Sequence, residues 1–212
     1  MGPGGARESA GAPPAGIAQG RAVDPAEASR FSHAVREFET VFSAELQALT
    51  AYVVSQKGIF STPDLVERAE HILPEAVRKL LPSQAMTDLR QAGRCLAFDL
   101  PTAAGFHLLR ATEAVIRAYY TVVVKRPPTP LSRNWGPYIR ILRRHDADPK
   151  ILAVLEHIRA LYRNPIIQPD AVLSLEEVTT LFGLVQSAIL AMARDMEHRH
   201  DVTTSTALHG LV

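Results

Sequence analysis

The chain is poor in the residues that mark several classes of protein. It has a single cysteine, Cys95, which excludes an internal disulfide and any cysteine-cluster metal site. Lysine and arginine number 23 against 22 aspartates and glutamates, so no overall basic excess points to nucleic acid or a membrane surface. No continuous apolar run reaches the roughly 18–20 residues that span a bilayer, and the N-terminus lacks the apolar core of a secretory signal. We therefore expect a cytoplasmic protein with no membrane partner.

What is present suffices for a folded core. Of the 212 residues, 47% are hydrophobic, which is ample for a core and argues against global disorder. The first residues are low in complexity and poor in large apolar side chains. We expect a disordered leader over 1–24, an N-terminal helical extension over 25–82, a helical bundle over 83–200 and a flexible tail over 201–212.

The apolar spacing is helical throughout. Asp24 is a predicted N-cap with Pro25 at the first helical position, and the next apolar stripe comprises Phe31, Val35, Phe38, Phe42, Leu46, Leu49 and Val53. Further helices are predicted over 85–98, 102–124, 135–144, 149–162 and 174–197. Ser174 and Glu177 form the capping box of the last one. No alternating strand pattern competes, so we predict an all-α, up-and-down helical bundle.

The segment 161–169 is the most informative stretch. We predict a short, proline-punctuated turn there, between two helices, which carries Arg163, Asn164 and Gln168. RNA cleavage without a metal needs a base for the 2′-hydroxyl, a role that suits histidine. It also needs charge stabilisation at the phosphate, which the planar fork of arginine supplies. A site just ahead of a helix N-terminus gains backbone donors for phosphate.

This segment, Arg163-Asn164-Pro165-Ile166-Ile167-Gln168-Pro169, resembles the signature of the HEPN superfamily. That signature is an arginine, a polar residue, a few spacers and a histidine at the start of the last long helix. The helix over 103–113, with Arg110 and Glu113, resembles the Arg-x-x-Glu helix of bacterial HEPN-like proteins. The resemblance covers roughly residues 85–197. It implies a helical bundle that dimerises, with two arginine turns facing each other across a composite RNA-binding cleft.

Active members of that superfamily are metal-independent endoribonucleases, often toxins or anti-phage effectors, whereas others have lost the histidine and bind RNA or partner proteins. Here Gln168 stands at the histidine position, and glutamine does not titrate near neutral pH. Loss of acid–base catalysis costs on the order of 10²–10⁴ in rate. We therefore interpret the chain as an RNA-binding or partner-binding module of a bacterial stress or phage-defence system with a degenerate ribonuclease motif.

Two alternatives stay open. The chain is an active metal-independent endoribonuclease toxin if Gln168 is an engineered inactivation or if another histidine replaces it. It is a non-catalytic dimerisation adaptor if the Arg163 turns form no basic cleft. We expect a homodimer, with RNA and a partner protein as the other candidate partners, and neither a metal nor a cofactor.

Other residues are candidates for supporting roles. His107, Arg110 and Glu113 lie on one helix, where Arg110 and Glu113 can pair locally and His107 is a candidate substitute base. A second group combines basic and aromatic side chains after the proline-rich loop: Arg133, Trp135, Arg140, Arg143 and Arg144. Such a group can hold single-stranded RNA by phosphate contact and stacking. Its alternative interpretation is a solvated helix face with Trp135 anchoring the loop.

Overall fold

The computed structural model describes residues 23–50, 52–128, 134–168 and 170–209, with side chains as far as Asp201. Helices make up most of these residues: α1 (Pro25–Ala48), α2 (Thr62–Arg68) followed by a 3-10 turn (Ala69–Ile72), α3 (Glu75–Leu80), α4 (Ser83–Ala97), α5 (Pro101–Val124), α6 (Trp135–Arg144), α7 (Pro149–Ile158) followed by a π-helical turn (Arg159–Arg163), α8 (Asn164–Ile166) and α9 (Leu175–His209). The described ranges contain no strand. The all-α prediction is therefore confirmed.

The chain divides into two compact units, and the first spans Met1–Tyr52. Its described part is α1, which begins at the predicted N-cap Asp24. The structure adds a capping box there, because Asp24 accepts from the backbone and Glu27 accepts from the Asp24 N–H. None of its residues is buried, and the predicted apolar stripe is solvent-exposed. The helix ends at Ala48, so Leu49 and Val53 of the predicted stripe lie beyond it. Residues 1–22 of the predicted leader lie outside the described residues.

The second unit, Val53–Val212, is the bundle. Helix α5 packs against both α4 and α9, and its buried side chains include Leu108, Val115 and Tyr119. Alanines at 85 and 92 on α4 are fully buried, and such small residues let the helix backbones approach closely. Helix α5 is therefore the central helix of the second unit, and both of its long neighbours contact it.

Residues 53–82 belong to this bundle rather than to a separate N-terminal extension. Lys57 is 2% exposed and its Nζ lies 2.8 Å from a carboxylate oxygen of Asp99, at the end of α4. Helix α2 packs on α4 at Gly93, where an added Cβ would lie 2.5 Å from the Leu65 carbonyl oxygen. The two helices approach this closely because glycine has no side chain. The composition of the sequence does not indicate this contact. The predicted boundary at 82 thus falls inside one compact unit.

Helix α9 is the last long helix. It begins as predicted, because Ser174 accepts from the Glu177 N–H while the Glu177 side chain accepts from the Ser174 N–H. It continues to His209, past Asp201, where the sequence analysis places a flexible tail. The stretch Leu175–Asp201, with a mean hydropathy of 1.3, is long and apolar enough to cross a membrane by length and composition. Its apolar residues Val178, Leu181 and Val185 are fully buried in the bundle.

Candidate functional site

The Arg163 segment is helical, and this corrects the prediction of a proline-punctuated turn. Helix α7 runs into the π-helical turn Arg159–Arg163 and then into α8. The Asn164 N–H donates to the carbonyl of Arg159, five residues earlier. Pro165 has no N–H to continue the ordinary ladder, which gives a physical reason for the wider turn here. Single π turns inside α-helices occur frequently at functional sites, and Arg163 ends this one.

The structure does not place Gln168 where the resemblance requires it. Gln168 follows α8 in a turn, and its N–H donates to the Pro165 carbonyl at 2.9 Å. The whole segment 170–174 separates it from α9, so it is not at the start of the last long helix. Gln168 and Asn164 are both exposed, and neither lines the groove described next. Pro169 lies outside the described residues.

Arg163 instead faces a surface groove of about 660 Å³ formed with α4 and α5. We call this the arginine groove. Its charged lining residues are Asp88, Arg110, Glu113, Arg117 and Arg163. Arg110, Glu113 and Arg163 also line a smaller adjoining cavity of about 120 Å³, together with Phe106 and Ile167. The structure therefore brings Arg163 together with two of its predicted supporting residues.

Asp88 is the most constrained charge in the groove. Its carboxylate is 2% exposed and projects from the buried face of α4. Gln84 donates to one oxygen at 2.7 Å, and Arg110 pairs with the same oxygen at 3.6 Å. Nδ1 of His107 lies 2.8 Å from the other oxygen. An ionised carboxylate only accepts hydrogen bonds, so Nδ1 is the donor in this contact when Asp88 is ionised.

The ion pairs on α5 differ from the predicted local pair. Arg110 reaches across to Asp88, whereas Glu113 pairs with Arg117, one turn further along, at 3.7 Å. Arg110 is 61% exposed, so it is not half of a buried brace between helices. The buried Asp88 carboxylate draws Arg110 away from Glu113, because a charge removed from water needs compensating partners.

The groove carries a small positive excess. Three arginines and two carboxylates line it, which gives a formal charge of +1. Arg117 is 44% exposed and Arg163 is half-buried. Two guanidinium groups from α5 and one from the π turn therefore share one cleft, and guanidinium groups match phosphate oxygens in bidentate fashion.

The second predicted group, on α6, does not form an RNA-stacking platform. Trp135 is fully buried and Tyr138 is 2% exposed, so neither ring is accessible to a base. Arg143 forms an ion pair with Glu156 at 2.7 Å, while Arg140 and Arg144 are exposed. Arg133 lies outside the described residues. The burial of Trp135 agrees with its interpretation as an anchor and leaves no ring face exposed for stacking on a base.

Asp88 is a residue of the site that was not predicted from the sequence. It sits among Ala85, Leu89 and Ala92 in the apolar repeat of α4, where a carboxylate is out of place unless it has partners. A charged residue at an apolar position was the signal that could have identified it from the sequence. Its partner His107 comes 19 positions later, a separation that helix periodicity does not connect.

Comparisons with protein-family models, with curated proteins and with solved structures give no match. Within the described residues, no group of three or more histidine, cysteine, aspartate or glutamate side chains could hold a metal ion. The side chains available for chemistry at the site are three guanidinium groups, a buried carboxylate and one imidazole.

Proposed function

We propose that the arginine groove binds the phosphate backbone of RNA, and that the chain is an HEPN-like RNA-binding module. The observation that carries this proposal is the convergence of Arg110, Arg117 and Arg163 on one groove. The resemblance of the Arg163 segment to the HEPN signature supports RNA as the ligand. A role in bacterial stress or phage defence, including toxin–antitoxin systems, belongs to the same proposal.

The test is binding of a fluorescent single-stranded RNA of about 16 nucleotides, a length within the usual range of such sites, measured by anisotropy against salt. Arg163→Ala and Arg110→Ala should each weaken binding and lower the salt slope by about one, because each removes one phosphate contact. Lys150→Ala is the matched control, since Lys150 is exposed on α7 and does not line the groove. Equal binding by all four proteins would contradict the proposal.

The same assay separates the groove from the exposed basic face of α6. If RNA lay on that face, the double variant Arg140→Ala/Arg144→Ala would lose binding while Arg163→Ala would not. If RNA lies in the arginine groove, Arg163→Ala should lose binding and the double variant should not. Arg143 is left out of this comparison because its variant would also remove the ion pair with Glu156.

We also propose that the chain forms a homodimer through the face around Arg163. Large apolar side chains are exposed beside it: Leu161 is 53% exposed, Ile167 55% and Val172 81%. Ile167 lines the small cavity beside Arg163, and exposed apolar residues next to a charged groove are typical of an interaction surface. In a dimer built here the two grooves would adjoin. Sedimentation should give a dimer for the natural chain and a monomer for Val172→Asp; a monomer in both cases would overturn the proposal.

The non-catalytic adaptor is the second candidate function, and the same exposed face favours it. It requires dimerisation without RNA affinity. A chain that sediments as a dimer, and whose RNA binding is negligible at every salt concentration, would establish the adaptor and exclude the RNA-binding module.

A further inference from the structure

A second cavity lies where α5 ends beside the C-terminal part of α9. We call it the α5–α9 cavity. Its volume is about 570 Å³, which falls within the roughly 300–1,000 Å³ typical of small-molecule sites. It shares no lining residue with the arginine groove. The cavity is therefore a separate feature of the surface, and its chemistry can be considered on its own.

The α5–α9 cavity combines apolar and cationic lining residues. Val122 and Met196 belong to the apolar part. Lys125 and Arg199 supply two positive charges against the single carboxylate of Asp195, which gives a formal charge of +1 with the lining histidines neutral. Small-molecule sites typically join apolar surface to a few polar groups that fix the orientation of the ligand. This lining suits a ligand with an anionic head and an apolar body.

The Arg199 guanidinium is held in place by hydrogen bonds. Its Nε donates to Oδ2 of Asp195 at 2.7 Å, and the Tyr119 hydroxyl donates to the same oxygen at 2.6 Å. A terminal nitrogen of Arg199 donates to the Asp146 carbonyl at 2.7 Å. These bonds compensate the Asp195 charge and position Arg199 before any ligand binds. Such preorganisation lowers the entropic cost of binding.

Lys125 has a backbone conformation that lysine seldom adopts. It is the C-cap of α5, with φ 56° and ψ 28°, in the left-handed region. Helices commonly end in this conformation, but usually with glycine or asparagine. The other described non-glycine residues with positive φ are Asp99 and Asp146, and aspartate tolerates this region better than lysine does. A strained lysine beside a cavity points to a role for its ammonium group.

We propose that the α5–α9 cavity binds a small organic anion. A phosphate or carboxylate head lies between Lys125 and Arg199, and the apolar body of the ligand packs on Val122 and Met196. The ammonium and the guanidinium both donate charge-assisted hydrogen bonds to anionic oxygens. This site does not depend on RNA binding in the arginine groove, because the two have no lining residue in common.

The experiment titrates the whole chain with phenyl phosphate, phenylacetate, inorganic phosphate and benzyl alcohol, followed by ligand-observed NMR. The better of the two aromatic anions should bind with a Kd on the order of 1 mM. It should bind about 10-fold more tightly than benzyl alcohol, which lacks the charge, and than inorganic phosphate, which lacks the apolar body. The two aromatic anions together identify the preferred head. Binding by neither of them, or equally tight binding by benzyl alcohol, would overturn the proposal.

Lys125→Gly separates ligand binding from the stability of the helix end. Glycine relieves the left-handed backbone, so the melting temperature should rise by roughly 2–4 °C. Binding of the preferred anion should nevertheless weaken about 10-fold, because a charged hydrogen-bond donor is lost. Lys125→Arg keeps a cation at this position and should retain most of the affinity.

Lys150→Ala is the matched control, since Lys150 is exposed on α7 and does not line the cavity. It should bind the anion as the natural chain does. A cation at the C-terminus of a helix also complements the helix dipole. If Lys125→Gly binds the anion with unchanged affinity, Lys125 serves only the end of α5 and the proposal is wrong.

Discussion

The Nδ1 atom of His107 lies 2.8 Å from the Oδ1 atom of Asp88 and joins α5 to α4. The other Asp88 oxygen is already occupied by Gln84 and faces Arg110. One buried carboxylate thus ties two helices together and fixes the imidazole beside the groove. Because stability and site geometry share this carboxylate, its removal should affect both.

Asp88→Asn should lower the free energy of unfolding by about 1–3 kcal/mol, since buried partners lose a charged acceptor. Urea denaturation with a common m-value measures the change. The matched control is Glu156→Gln, which breaks an ion pair whose partners are 58% and 43% exposed. Surface pairs contribute only about 0–1 kcal/mol. Equal losses of stability in both variants would mean that the buried Asp88 carboxylate contributes no more than an exposed ion pair.

Two glycines on long helices should respond in opposite directions to alanine. An added Cβ at Gly93 would lie 2.2 Å from the Ala69 Cβ, whereas at Gly183 it would meet nothing within 4 Å. Gly93→Ala should destabilise the chain by about 1–3 kcal/mol through overpacking. Gly183→Ala should stabilise it by roughly 0.5–1 kcal/mol through helix propensity.

The Gly93→Ala variant also tests whether residues 53–82 unfold together with the bundle. If residues 53–82 were an independent extension, Gly93→Ala would only detach α2, and chemical denaturation of the bundle would keep its midpoint. The structure predicts a single transition that shifts to lower urea, because α2 and α4 pack together in one unit. Two separated transitions would contradict that packing.

Tyr119 should make the bundle sensitive to alkaline pH. Burial raises the pKa of its hydroxyl, and the hydrogen bond to Asp195 at 2.6 Å raises it further. The folded state therefore favours the neutral phenol. Its contribution is complete below the unfolded pKa of about 10 and is lost as pH rises above it. Tyr119→Phe should show a smaller loss of stability between pH 9 and pH 11, measured by urea denaturation; parallel curves would contradict this account.

Gln168→His should leave the RNA affinity of the chain unchanged. Residue 168 is exposed and does not line the arginine groove, so a histidine there lies away from the proposed phosphate contacts of Arg110 and Arg163. Anisotropy with the same single-stranded RNA measures the change. A clear gain or loss of affinity would place part of the RNA site at position 168, outside the groove.

Local patterns in the sequence predicted much of the fold. The helix over 135–144, the N-cap at Asp24 and the capping box at Ser174 depend on neighbouring residues, and the structure contains all of them. The packing of α2 on α4 depends on a glycine whose partner is far along the chain, and no local pattern encodes that. The predicted boundary at 82 therefore differs from the division of the chain at Val53.

Part of the candidate site could likewise be predicted from the sequence, and part could not. Arg163 was found because its segment resembles a known signature, and Arg110 because it lies on a helix like that family's. The π turn was missed because proline at 165 reads as a helix breaker, although the structure accommodates it in α8. Asp88 and His107 meet across two helices, and only the packed structure brings them together.

The most direct test of the central assignment compares the salt dependence of RNA binding by the natural chain and by Arg163→Ala. The account predicts that Arg163→Ala binds single-stranded RNA more weakly and with a salt slope smaller by about one. Equal affinity and equal slope for the two proteins would contradict it.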